Sequence, residues 1–129
     1  MRWGLERLSD AVYRVDDEAG ALVAAVSVRW RGDPAEIEEL AVDRARQGQG
    51  IGRAVVAWVL AEARRRAKRA VVVGTANASI GNIAFYQKCG FRMHQVKRDY
   101  FSYYADYYGS VQEENGIVVR DMIVFRYEL

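Results

Sequence analysis

The sequence has one cysteine, Cys89, one proline, Pro34, and one histidine, His94. A single thiol forms no internal disulfide, which fits a reducing compartment, the cytoplasm. One His and one Cys are too few ligands for a metal ion, so no metal site is expected. No apolar run approaches the roughly 20 residues of a membrane helix, and no membrane partner is expected. The first ten residues include Arg2, Glu6, Arg7 and Asp10 and lack the apolar core of a signal peptide. An excess of one charge is missing too: 19 Lys and Arg against 17 Asp and Glu leave a net charge of +2. Proteins that track a nucleic-acid backbone carry a more one-sided excess, so no nucleic-acid partner is expected. The basic run Arg64 to Arg69 reads as a solvated helix end. Internal repeats and low-complexity tracts are also absent.

The 129 residues, 51% of them apolar, suit one compact domain spanning 1–129. Trp3, Leu5 and Leu8 suggest a short helix over Met1–Leu8. Ala11–Val15 and Ala21–Trp30 read as strands joined by the turn residues Asp16, Asp17, Glu18 and Gly20, which makes a hairpin. Glu36–Val42 is a third strand. Ile51, Val55, Val59 and Leu60, with Trp58 alongside, recur at helical spacing and predict a helix over Ile51–Lys68. Ala70–Val73 is a short buried strand, so strand, helix and strand form a parallel crossover. A second helix starts near Asn77 or Ser79, runs to Lys88 and stops at Gly90. Phe91–Val96 and Ile117–Tyr127 are further strands, separated by the aromatic segment Tyr100–Tyr108. The expected fold class is mixed α/β.

The strongest local feature is Gln47-Gly48-Gln49-Gly50-Ile51-Gly52, between a strand and a long helix. Glycines let a backbone approach a ligand closely and turn its N–H groups inward. A helix start adds unpaired donors and partial positive charge, so a pyrophosphate is the natural guest. Arg44, Arg46 and Arg53 are placed to neutralise further phosphate charge. A P-loop would have Lys and then Ser or Thr after its last glycine, where Arg53 and Ala54 stand. The dinucleotide pattern GxGxxG is not met either, because these glycines read GxGxG.

Gln47-x-x-Gly50-x-Gly52 resembles the Q/R-x-x-G-x-G/A signature of the GNAT family of N-acetyltransferases. Glu36 to Asp43 resembles that family's central strand. Asn82-Ile83-Ala84-Phe85-Tyr86-Gln87-Lys88-Cys89-Gly90-Phe91 resembles its second signature, a helix ending in Gly-Phe. Gly74 to Asn82 and Glu114-Asn115-Gly116-Ile117 look like a bacterial subgroup. The resemblance implies the GNAT acyl-CoA N-acyltransferase fold, with acetyl-CoA as cosubstrate. It gives the backbone of Leu40, Ala41 and Val42 to the pantetheine arm. The N–H groups of Gln47, Gly48, Gln49, Gly50, Ile51, Gly52 and Arg53 would hold the pyrophosphate. Tyr86 would protonate the departing thiolate, and Glu36 matches the general base of the histone-modifying members. By strand alternation Glu36 and Glu38 share one face and Glu39 takes the other, a count that a bulge would change. The family often has Asn seven residues before the tyrosine. Ser79 stands there, flanked by Asn77 and Asn82, so Ser79 and Asn82 are cofactor-contact candidates and Asn77 is a third.

The implied reaction is acetyl transfer to a primary amine: a small amine, a polyamine or an aminoglycoside-like acceptor. A protein N-terminus or lysine is the alternative acceptor, and a silent acyl-CoA-binding module the alternative to an enzyme. The tyrosines of Tyr100–Tyr108 with Asp106, Glu113 and Glu114 are suited to a cationic amine. Family members place two helices between their first two strands, and ten residues before the first strand cannot hold them. The apolar surface left bare then predicts a homodimer.

Overall fold

The computed structural model describes residues 3–7 and 11–129. Its strands are β1 (Trp3–Arg7), β2 (Val12–Asp17), β3 (Leu22–Arg29), β4 (Ala35–Val42), β5 (Ala70–Ala76), β6 (Arg92–Lys97), β7 (Glu113–Glu114), β8 (Ile117–Val118) and β9 (Met122–Glu128). Its helices are α1 (Ile51–Arg65), α2 (Ile80–Lys88) and the short α3 (Tyr104–Tyr108). Seven strands form one sheet in the order β1-β2-β3-β4-β5-β9-β6, and β7 and β8 make a separate hairpin. The architecture is mixed α/β, as expected. The chain divides into two compact units, Met1–Val71 with Glu128–Leu129, and Val72–Tyr127.

In the first unit β1 to β4 form an antiparallel meander. The helix expected over Met1–Leu8 is instead strand β1, with Leu5 paired to Val15 and Arg7 to Tyr13. Trp3 and Leu5 are two apart, which is strand spacing, and β2 offers them a hydrogen-bonding edge. Leu8 lies outside the described residues. The β2–β3 turn forms around Asp17, whose carboxylate accepts the N–H groups of Ala19 and Ala21, each at 2.9 Å.

One face of this meander carries Tyr13, Val15, Ala24, Val26, Val28, Ala35 and Ile37, all buried. Helix α1 covers that face because Ile51, Val55, Val56, Val59, Leu60 and Ala63 recur along one side of it. Tyr13 meets Trp58 edge-on, with ring centroids 4.6 Å apart. Its hydroxyl accepts a 3.0 Å hydrogen bond from the Trp30 indole, and the Arg66 guanidinium lies over Trp30 at 4.4 Å. Each large aliphatic side chain fully buried here contributes about 1.5–3 kcal/mol. Helix α1 stops at Arg65, three residues before the expected Lys68. There Ala67 takes a positive φ of 58° and the Lys68 ammonium donates to the Gly32 carbonyl at 2.7 Å. Glu62 pairs with both Arg65 and Arg66 at this end.

In the second unit α2 buries Tyr86 against Phe91 and Phe125, at centroid distances of 5.7 and 6.1 Å. Gly90 closes the helix at φ 96°, and a Cβ there would stand 2.9 Å from the Tyr127 ring. The strand expected over Ile117–Tyr127 is two strands, β8 and β9, because the Asn77 side chain intervenes. Its Oδ1 accepts the N–H groups of Arg120 and Asp121 at 2.9 and 3.0 Å. The aromatic segment is solvent-facing at Tyr100, Tyr103, Tyr107 and Tyr108.

Candidate functional site

The glycine turn is built by backbone conformation. After β4 a single 3₁₀ turn, Arg44–Arg46, hands over to an extended Gln47. Gly48 and Gly50 then sit at φ 84° and 81°. Any other residue would pay roughly 1–2 kcal/mol in that left-handed region. Gly50 is the N-cap of α1; no side chain caps the helix and no acidic residue lies in its first turn. Such a helix start offers N–H donors and the positive end of the dipole to an anion. Gln49 is exposed, Gly52 half-buried, and Arg53 exposed. Ile51 is 1% exposed, so its side chain belongs to the core and only its backbone can serve a ligand. The Gln47 amide donates to the Val42 carbonyl at 3.3 Å and fastens the turn to the end of β4.

The arginines divide. Arg46 forms a 2.7 Å ion pair with Asp17, which ties the segment before the glycines to the β2–β3 turn. The Ala21 N–H, then Arg46, hold the Asp17 carboxyl below its ordinary pKa. Arg44 and Arg53 are the exposed cations beside the glycines.

On β4, Leu40, Ala41 and Val42 pair with Val26, Ala25 and Ala24 of β3. The register shifts once: Ser27 faces Glu39 while Val28 faces Ile37, leaving Glu38 as the extra, bulged residue. The bulge overturns simple alternation. Ile37 and Leu40 both look toward α1, so Glu36 shares the opposite face with Glu39, not with Glu38. Glu36 is also engaged, with its Oε1 3.2 Å from the Arg29 guanidinium directly across the ladder.

In the second unit Tyr86 is 6% exposed, and among the described residues no hydrogen bond reaches its hydroxyl. Burial first, and the neighbouring Cys89 second, push its pKa from 10.0 up to about 12. The phenol therefore stays protonated at neutral pH and can donate. Asn82 lies four residues before Tyr86 on the same side of α2, and its side chain is exposed. Asn77 and Ser79 are occupied. The Asn77 amide donates to the Val118 carbonyl at 3.0 Å besides accepting from Arg120 and Asp121. The Ser79 hydroxyl donates to the Glu114 carboxylate at 2.8 Å. Asn115 completes the lock by donating to the Ala78 carbonyl at 2.9 Å. These bonds tie the β7–β8 hairpin to the β5–α2 loop, an arrangement that the sequence reading missed. The available signal was Asn115-Gly116, whose φ values of 56° and 73° suit a type I′ hairpin turn.

An uncapped helix start behind two left-handed glycines suits a phosphate-bearing ligand. The model of the acetyltransferase (GNAT) family matches residues 2–91. The chain belongs to the GNAT family of acetyltransferases. An uncharacterised N-acetyltransferase of Bacillus subtilis, YvbK, is 33% identical over 108 residues, which is 84% of this chain. The chain spans 66% of that relative's length, just under two thirds. Among solved structures, an IAA acetyltransferase from Bacillus cereus is 35% identical with a TM-score of 0.79, over 92% of this chain and 77% of the other. A GNAT acetyltransferase from Elizabethkingia anophelis, with acetyl-CoA bound, is 31% identical with a TM-score of 0.81, over 92% and 75%. A Bacillus subtilis acetyltransferase in complex with CoA is 29% identical with a TM-score of 0.81, over 92% and 76%. Among the described residues no group of three or more His, Cys, Asp and Glu could hold a metal ion. No helix among them is long and apolar enough to cross a membrane.

Proposed function

We propose that this GNAT chain transfers acetyl from acetyl-CoA to a primary amine on a small cationic acceptor, by direct attack without an acetyl-enzyme. The observation that carries the reading is the glycine turn: Gly48 and Gly50 with positive φ in front of an uncapped α1. Its exposed N–H groups, with Arg44 and Arg53, suit a pyrophosphate. The backbone of Leu40 to Val42 is assigned to the pantetheine arm. Asn82 is the side chain of α2 assigned to the cofactor, since Asn77 and Ser79 hold the hairpin.

The chemistry follows from protonation states. An alkylammonium, with a pKa of about 10, must first lose a proton, and a β4 carboxylate takes it. The free amine forms a C–N bond to the thioester carbonyl and the C–S bond breaks. Tyr86 gives its proton to the leaving sulfur and recovers one from the newly bonded nitrogen. Supporting a small cationic acceptor are the exposed tyrosines Tyr100, Tyr103, Tyr107 and Tyr108, with the exposed carboxylate Asp106 in the same segment.

The test is acetyl-CoA consumption across alkylamines, polyamines, aminoglycosides and peptides, alongside calorimetry with acetyl-CoA. Consumption with small amines supports the reading. Peptides as the sole substrates would move the acceptor to proteins. Binding without consumption would leave an acyl-CoA-binding module, and no binding would reject the turn assignment.

A further inference from the structure

We infer that Glu39, set on the Glu36 face by the bulge at Glu38, is the carboxylate that accepts the amine's proton. The inference rests on the acetyltransferase reading above and adds which residue performs its first step.

Three observations in the first unit carry it. The first is the ladder. Val28 pairs with Ile37 and Ser27 with Glu39, so Glu38 is the inserted residue and Glu39 returns to the face of Glu36 and Ala41. That face is turned away from α1, whose side chains pack on Tyr13 and its neighbours. The second is charge. Arg29 stands across the ladder from Glu36 and holds its carboxylate at 3.2 Å. With Oε1 held by Arg29, Glu36 offers an amine only its second oxygen. Glu39 is exposed, and among the described residues no hydrogen bond or ion pair engages its carboxylate. The third is reach. Glu36 and Glu39 face Arg29 and Ser27, two ladder steps apart, about 7 Å along the strand. A general base works within about 3 Å of the proton it removes, or through one water. Two carboxylates at that separation do not serve one nitrogen equally. Glu39 directly precedes Leu40, the start of the segment assigned to the pantetheine arm, and Glu36 lies further from it.

The step balances. The alkylammonium N–H bond breaks, its electron pair stays on nitrogen, and the proton passes to a Glu39 oxygen and later to solvent. No oxidant, metal or further reactant is needed.

The experiment compares Glu39→Gln, Glu36→Gln and wild type at saturating acetyl-CoA, with two acceptors. One is an alkylamine of pKa about 10; the other is an arylamine that is already uncharged at neutral pH. Glu39→Gln is expected to lower kcat on the alkylamine by about 10²-fold near neutrality, a typical general-base loss. The loss should shrink as the pH rises toward 10, and on the arylamine it should be small. Glu36→Gln should cost less, and equally at every pH, because it removes the partner of Arg29 and no proton acceptor. Acetyl-CoA affinity, read by calorimetry, should stay at the wild-type value in both variants and reports that each has folded. Wild-type rates with a wild-type pH profile in folded Glu39→Gln overturn the inference. So does a pH-dependent loss confined to Glu36→Gln. A wild-type protein that binds acetyl-CoA yet acetylates neither amine defeats the acetyltransferase reading itself, and this inference falls with it.

Discussion

Replacing Tyr86 by Phe should make the protein more stable and the enzyme slower. The ring is 6% exposed and packs on Phe91 and Phe125. Phe keeps that packing and removes one hydroxyl, which no described residue hydrogen-bonds. A buried polar group without a partner costs about 1–3 kcal/mol, so its removal should return part of that amount. For a chain of this size 1 kcal/mol corresponds to roughly 3–5 °C in Tm. The same burial sets the proton chemistry. A rise from 10.0 to about 12 corresponds to a few kcal/mol against phenolate. Unfolded tyrosine ionises near pH 10 while folded Tyr86 holds its proton. Its stabilising contribution is therefore complete below pH 10 and lost as the pH rises through about 12. Phe abolishes this dependence, so the wild type should lose stability relative to the variant in that alkaline window. Catalysis moves the other way, with a turnover loss of about 10²–10⁴-fold if the phenol protonates the leaving sulfur. Acetyl-CoA affinity should change little, because the thiolate exists only late in the reaction. Thermal denaturation from pH 7 to 12 and single-turnover release of CoA thiol provide the measurements. A variant destabilised by more than 1 kcal/mol would show that the hydroxyl has a partner. Unchanged single-turnover chemistry would reduce Tyr86 to a packing residue.

Gly50→Glu should lower acetyl-CoA affinity by more than 10²-fold in calorimetry, since it forces a carboxylate and a strained φ of 81° onto the helix start. Asn77→Ala should cost about 2–3 kcal/mol and speed amide exchange at Arg120 and Asp121, whose N–H groups lose their acceptor. Glu62 is held near pKa 2, chiefly by its hydrogen bond to Arg65. A depressed carboxylate stabilises above its unfolded value and loses that contribution as pH falls. Acid titration of Glu62→Gln against wild type should therefore converge between pH 4.5 and about 2. We also propose a homodimer, since β1 and β2 are joined by four residues and the tyrosines beyond β6 are exposed. Sedimentation equilibrium should then give twice the 14.6 kDa chain mass, and a clean monomer at micromolar concentration would reject it.

Features with a local chemical signature were legible in the sequence. The glycines before α1 announced a backbone conformation, the positive φ of Gly48 and Gly50. The β2–β3 hairpin and the apolar stripe of α1 followed from turn residues and periodicity. What escaped depended on partners distant in sequence. Trp3 and Leu5 read as helical because the edge that makes them a strand belongs to β2. No residue type marks the bulge at Glu38, since the register is set jointly by β3 and β4, so the face of each β4 carboxylate was hidden. Ser79 stood at the cofactor position of the resemblance, yet Glu114, 35 residues later, takes its hydroxyl. The pairing of Arg46 with Asp17, 29 residues earlier, was likewise not marked by any local signal.

The lock among Asn77, Ala78, Ser79, Glu114, Asn115 and Val118 has a consequence for engineering and for divergence. Its side-chain donors and acceptors are split between two stretches, so neither stretch satisfies its own polar groups. A chimera that imports the 113–121 stretch from a homologue while keeping residues 77–79 strands amide and carbonyl groups on both sides. Importing both stretches from a homologue that carries the same residues at these positions keeps every bond. The two stretches therefore form one heritable cassette, and loop shuffling aimed at new acceptors should recover folded proteins only when both halves travel together.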